Sequence, residues 1–147
     1  MDTDRAIEQS IGEKISNIFK TYGEKFFRQQ EREMVLSLKE KENYVISTGG
    51  GLWLDEKNRK ELLRMGWCVW LKISAQGSWK RISKNLSQRP LLTKEEDPFE
   101  FVRKSLGARD PLYSLAHYSV NTEGKSPVVV VQEIKKALQK IKPFDLH

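Results

Sequence analysis

Short runs of β-branched and aromatic residues alternate along this chain with longer segments of helical periodicity. That alternation constrains the fold more than any other feature. Residues 44–48, 67–73 and 118–122 read as short strands bounded by turn residues. Between them the apolar residues recur every three or four positions. Ile7, Ile11, Ile15 and Ile18 make one helical face, with Thr3 or Asp4 placed to cap it. Residues 24–39 form a second helix with Phe27, Met34, Val35 and Leu38 inward. Residues 55–65 form a third, capped by Asp55 and stopped by Gly66. Residues 78–87 carry Trp79, Ile82 and Leu86 on one side, and residues 98–106 are helical again. The stretch 126–141 is contested. Four valines favour a strand, but Val128, Val131, Ile134, Leu138 and Ile141 keep a helical spacing. Ser126 and Pro127 suit a helix start, so a helix is expected. Strands alternating with helices imply an α/β layer fold with a mainly parallel sheet. In such sheets ligands gather at the carboxyl ends of strands.

The 147 residues amount to one domain on length, with 38% hydrophobic and 31% charged residues, enough to build a core. The net charge of +6 favours anionic partners such as phosphates, carboxylates or nucleic acid. The basic residues are spread along the chain, which argues against a nucleic-acid stripe. A single Cys68 excludes an intrachain disulfide, and with His117 and His147 it makes no zinc pattern. No apolar run approaches a membrane span, and the start carries no secretory apolar region. A soluble protein of a reducing compartment is expected.

Several residue groups can carry chemistry, each with a plainer reading beside it. Asp2 and Asp4 can hold hydrated Mg²⁺ and a hydroxylated ligand, or simply cap a helix at a solvated terminus. Glu24, Arg28 and Glu31 share one helix face. They are either a surface ion-pair ladder or an arginine held by acids so that its fork meets a carboxylate. Gly49, Gly50 and Gly51 follow the strand at 44–48. They are either a turn or a place where a ligand lies against bare backbone. Arg89, before Pro90-Leu91-Leu92 and an acidic loop over about 88–98, and Arg109, before "DPLY", are either exposed arginines or groups that close over phosphates. Trp53, Trp67, Trp70 and Trp79 lie on separate elements, as core or pocket wall.

The order of these pieces is more telling than any one of them. Asp-Thr-Asp (2–4), "IFKTYGEKFFRQQE" (18–31), "STGGG" (47–51), "WKRI" (79–82), "RPLL" (89–92) and "RDPLY" (109–113) follow one another at spacings that resemble the shikimate kinase family. The resemblance covers nearly the whole chain. It implies a P-loop kinase of the nucleoside-monophosphate-kinase type, a three-layer sandwich. Such a kinase moves the γ-phosphoryl of ATP, with Mg²⁺, to the 3-hydroxyl of shikimate. Asp4 would bind the shikimate hydroxyls and orient or deprotonate the attacking one. Asp2 would meet Mg²⁺ through water. Arg28 and Arg109 would clamp the substrate carboxylate, and Gly50 would donate a backbone N–H with Gly49 and Gly51 letting the ligand approach. Arg89 would neutralise the transferring phosphates from the lid. Arg81 would lie near the adenine, and Lys125 near the nucleotide. The resemblance also implies a monomer in the cytoplasm, or in a plastid. The open alternatives are a gluconate-type polyol kinase and a regulatory relative that binds without turnover.

One family piece has no counterpart. No G-x-x-x-x-G-K-[ST] phosphate loop occurs; "EGKS" (123–126) has Ser119 where the first glycine would stand. The expectation is therefore that these residues are the later part of a longer kinase and are inactive without a strand, loop and helix before them. The strands at 44–48 and 67–73 would then lack a shared neighbour.

Overall fold

The structure, a computed structural model, describes residues 1–84, 92 and 95–140. It falls into two compact units, residues 1–66 and a second beginning at residue 67.

The first unit is helical. Helix α1 (Thr3–Ile11) is capped by the Asp2 carboxylate, which accepts from the Arg5 amide. The cap is thus earlier than either candidate, one residue before Thr3 and two before Asp4. The expected single face from Ile7 to Ile18 belongs to two helices. Gly12 takes a left-handed conformation (φ 80°) that ends α1, and α2 (Ile15–Thr21) restarts after Lys14. Glu8 bridges the break, accepting from the Ile15 amide and the Lys14 ammonium. The apolar residues still meet. Ile7, Ile18 and Phe27 form the buried centre, with Ile11, Ile15, Phe19, Phe26 and Met34 packed against it. Helix α3 (Gly23–Ser37) runs into a 3₁₀ turn, Leu38–Glu40, and buries Phe27, Val35 and Leu38.

The strand expected at 44–48 is reduced to one parallel bridge, Asp2 to Ser47. Among the described residues the backbone pairs on one side only. The Met1 ammonium donates to the Val45 carbonyl, the Ser47 amide to Met1, and the Thr3 amide to Ser47. Val45 is 88% exposed and Tyr44 is also exposed. A strand is defined by its neighbours, and among the described residues this one has a neighbour only three residues long. A 3₁₀ turn, Leu52–Leu54, follows the glycines and leads through Asp55 into α4 (Glu56–Met65), which stops at Gly66 as expected. Asp55 caps α4, accepting from the Lys57 and Asn58 amides.

The second unit holds a parallel pair, β1 (Val69–Lys72) and β2 (Tyr118–Asn121), in register Val69 to Tyr118 through Lys72 to Asn121. Parallel neighbours require a crossover, and α5 and α6 supply it. Helix α5 (Ala75–Ile82) begins three residues before the expected position because Ser74 caps it through the Gly77 amide. Residues 85–91, including Leu86, lie outside the described residues. Helix α6 (Pro98–Tyr113) runs past the expected end at Leu106 and contains Pro111. The contested valine segment is a helix, α7 (Pro127–Lys140), whose Val129 amide donates to Ser126 Oγ.

Candidate substrate site and family

The first unit brings four of the expected residues together. Asp4 lies in the first turn of α1, and Arg28 lies mid-way along α3. The chain from Ser47 through the 3₁₀ turn carries Gly49 and Gly51 between them. The Gly49 amide donates to Thr3 Oγ1 at 3.2 Å, and Thr3 is fully buried. This bond fixes the glycine run against the start of α1.

Two of the glycines have a steric reason within the protein itself. Neither Gly49 nor Gly51 has a positive φ, and Gly51 is in the ordinary right-handed helical region (φ −75°, ψ −32°). Conformation does not demand glycine there; space does. A Cβ on Gly49 would lie 2.5 Å from Asp4 Oδ1 and 3.1 Å from its Cγ. A Cβ on Gly51 would collide with the Arg28 guanidinium. The missing side chains make room for two side chains of the protein itself. Gly50 is exposed between them.

Electrostatics set these groups apart. Asp4 Oδ1 is a buried oxygen without a hydrogen-bond partner among the described residues. Burial raises the Asp4 pKa, the Asp2 and Glu8 carboxylates add to the rise, and Arg28 opposes it. Arg28 is held on two sides. Its Nε and Nη2 donate to Glu24 Oε1 at 3.1 and 2.9 Å, and its Nη1 to Glu31 Oε2 at 2.8 Å. Glu31 is only 2% exposed, and burial raises its pKa against the pull of Arg28. The ladder seen in the sequence is therefore no surface feature on its Glu31 side. A guanidinium has five N–H donors, and these bonds use three. The other two sit on the two terminal nitrogens, the number a bidentate carboxylate needs.

Asp2 is exposed and uses Oδ1 to cap α1. Among the described residues no three His, Cys, Asp or Glu side chains converge to hold a metal. An exposed lone carboxylate fits contact with a hydrated Mg²⁺ through water, not an all-protein cage.

The remaining residues belong to the second unit. Arg81 donates through Nη2 to the Thr122 carbonyl at 2.9 Å, tying α5 to the end of β2. Lys125 pairs with Glu133 of α7 at 2.7 Å. Arg109 is half-buried on α6. Arg89 lies outside the described residues. Sequence reasoning does not single out Thr3, Asn58 or Arg59 as residues of the site. Their signal is position alone: Thr3 between the two aspartates, and an Asn-Arg pair one turn into the helix after the glycines.

A family model described as shikimate kinase matches residues 1–139. The chain belongs to the shikimate kinase family. Its relatives include a shikimate kinase of Thermus thermophilus, 40% identical over 138 residues. That alignment takes in 94% of this chain and 74% of the relative. The shikimate kinase of Caldanaerobacter subterraneus subsp. tengcongensis is 34% identical over 142 residues, covering 97% and 82%. Among solved structures, shikimate kinase from Acinetobacter baumannii in complex with shikimate matches with a TM-score of 0.86 at 33% identity. It covers 96% of this chain and 79% of that one. The Bacteroides thetaiotaomicron shikimate kinase matches with a TM-score of 0.84 at 32% identity, covering 95% and 82%. The fold is therefore the α/β P-loop kinase type of this family, and the family's members are phosphotransferases.

Proposed function

We propose that the protein binds shikimate in the first unit and phosphorylates its 3-hydroxyl from ATP. The observation that carries this reading is the buried, unpartnered Asp4 Oδ1, set beside glycines and within the field of Arg28. An unsatisfied buried acceptor asks for a donor, and a substrate hydroxyl is one. Asp4 orients that hydroxyl and takes its proton at Oδ1 as the hydroxyl oxygen attacks the γ-phosphorus and ADP leaves. The raised pKa makes it a better base than a solvated aspartate. The two remaining N–H groups of Arg28 meet the ring carboxylate, and the ring lies against Gly50.

When bound, Mg²⁺ would supply charge neutralisation for the nucleotide phosphates. Asp2 meets its water shell. Arg109 serves as second carboxylate clamp, Arg89 neutralises charge on the phosphates, and Arg81 and Lys125 attend the nucleotide. Lys125 would have to give up Glu133 to do so. The substrates are small molecules, and the protein acts as a monomer in the cytoplasm.

The test is calorimetric titration with shikimate, followed by ADP release in the presence of Mg²⁺ and ATP. Shikimate should bind, and Arg28→Ala should abolish binding. Unchanged affinity in that variant would overturn the assignment. These residues carry no phosphate loop, so binding without ADP release fits the shikimate assignment as well as a non-catalytic relative does.

A further inference from the structure

The carbonyls of Leu52, Trp53 and Leu54 pose an accounting problem, since backbone acceptors inside a fold need donors. They belong to a single 3₁₀ turn, and the chain leaves helical geometry at Asp55 (φ −71°, ψ 124°). The first backbone bond of α4 goes to the Asp55 carbonyl, from the Arg59 amide at 3.0 Å. The three carbonyls before it lie outside that ladder. Side chains from the first turn of α4 reach back to all of them. Asn58 Nδ2 donates to the Leu52 carbonyl at 3.4 Å. Arg59 Nη1 donates to the Trp53 carbonyl at 3.0 Å and the Leu54 carbonyl at 3.3 Å. Asn58 is buried and Arg59 half-buried.

This turn is tied to the glycines. The Leu52 amide donates to the Gly49 carbonyl at 3.2 Å and the Leu54 amide to the Gly51 carbonyl at 3.1 Å. A movement of the turn is therefore a movement of Gly49 and Gly51, and neither has room to spare beside Asp4 and Arg28. A second tether comes from α3 itself. Arg32, one turn beyond Arg28, donates from Nε and Nη2 to Asp55 Oδ2 at 2.9 and 2.6 Å. Helix α3 thus touches the glycine run through Arg28 and the far end of the turn through Arg32. Arg59 holds the middle.

We propose that Arg59 is a positioning residue for the substrate site: it holds the Leu52–Leu54 turn so that Gly49 and Gly51 fit against the Asp4 carboxylate and the Arg28 guanidinium. The proposal rests on the assignment of that site to shikimate. Arg59 does not touch substrate; it acts through the backbone of the turn. Its two bonds are made by one nitrogen, so a lysine ammonium can serve part of the role, whereas methionine keeps the stem and loses every donor.

The full 147-residue chain is compared with Arg59→Met and Arg59→Lys, and with Lys60→Met as a neighbouring surface control. Shikimate is titrated well below the melting temperature, and amide shifts and hydrogen exchange are read residue by residue. Arg59→Met should weaken shikimate binding at least tenfold. It should speed exchange at the Leu52 and Leu54 amides and shift Gly49 and Gly51, leaving the amides of α2 in place. Arg59→Lys should recover part of the affinity, and Lys60→Met should match the parent. Affinity within twofold of the parent in Arg59→Met, or unmoved glycine amides, would overturn the proposal. If the parent chain binds no shikimate, the site assignment fails, and the positioning claim is still decided by the Gly49–Leu54 amides. If Arg59→Met does not fold, Arg59→Lys carries the same comparison with smaller expected changes.

Discussion

Replacing Gly51 by alanine separates the two reasons a chain can have for glycine. The backbone at Gly51 (φ −75°, ψ −32°) is one that alanine adopts freely. On conformational grounds alone the substitution should stabilise, by about 0.4–1 kcal/mol through the unfolded chain. Against that stands one collision, between the new Cβ and the Arg28 guanidinium. Relief requires the guanidinium to move by roughly 1 Å to reach ordinary contact distance. The guanidinium is the far end of a flexible side chain, but it is not free to move. Nη1 donates to Glu31, which is 2% exposed, and Nε and Nη2 donate to Glu24. Losing the Glu31 bond leaves a buried carboxylate without its donor, at a cost of about 1–3 kcal/mol. The net change is therefore a destabilisation of between about 0 and 2.6 kcal/mol. For a chain of this length that lowers the melting temperature by about 10 °C at most. Binding should suffer far more. One misaligned charge-assisted bond to a substrate carboxylate, worth about 1.5–3 kcal/mol, weakens shikimate by roughly 10- to 150-fold. The assay is calorimetric titration with shikimate alongside thermal unfolding. Gly107→Ala is the control, because that glycine lies in α6 with nothing within 4 Å of an added Cβ. It should gain about 0.5–1 kcal/mol of stability and leave binding unchanged. Gly51→Ala with parental shikimate affinity would refute the idea that this glycine makes room for Arg28.

Asp4→Asn should raise the stability of the free protein. The Asp4 pKa is raised in the fold, so its ionised form opposes folding above its unfolded value of about 3.8, and an amide removes that cost. A fall in melting temperature at pH 7 would contradict this. His117 makes the opposite kind of pH dependence. Its Nδ1 accepts from the Cys68 amide at 3.1 Å, which only an unprotonated nitrogen can do, and burial lowers its pKa. The stability it contributes is complete above its unfolded value of about 6.5. It declines as pH falls through that value toward the lowered folded one. Exchange of the Cys68 amide should therefore speed up across that window; a flat profile, or one unchanged in His117→Asn, would count against the bond. Last, Thr3→Val should free the Gly49 amide and weaken shikimate binding more than Thr3→Ser, which keeps the acceptor. Equal affinities would remove Thr3 from the site.

Much of this protein is legible in its sequence. The cap at Asp55 and the stop at Gly66 bound one helix, because those residues act on the backbone next to them. The valine-rich segment is a helix because its apolar spacing and its Ser-Pro start agree. The substrate-side motifs mark the family because several occur in order along most of the chain. What does not show in the sequence depends on distant partners. Gly12 is an ordinary glycine on paper, yet it divides one expected helix into two. Residues 44–48 have strand composition, but the pairing available among the described residues leaves a single bridge and an exposed Val45.

The sequence by itself determined most of the helices and the family to which the chain belongs. Those follow from local rules: periodicity, caps and the order of motifs. Only the tertiary structure decided which side chains lie against Gly49 and Gly51, that Glu31 is buried beneath Arg28, and that Arg59 closes the turn behind them. Each of these is a relation of space between segments up to 46 residues apart, as in the bond from Gly49 to Thr3. A side chain left out of a sequence shows that room was made. What fills the room is fixed only when the chain folds back and Asp4 and Arg28 arrive there.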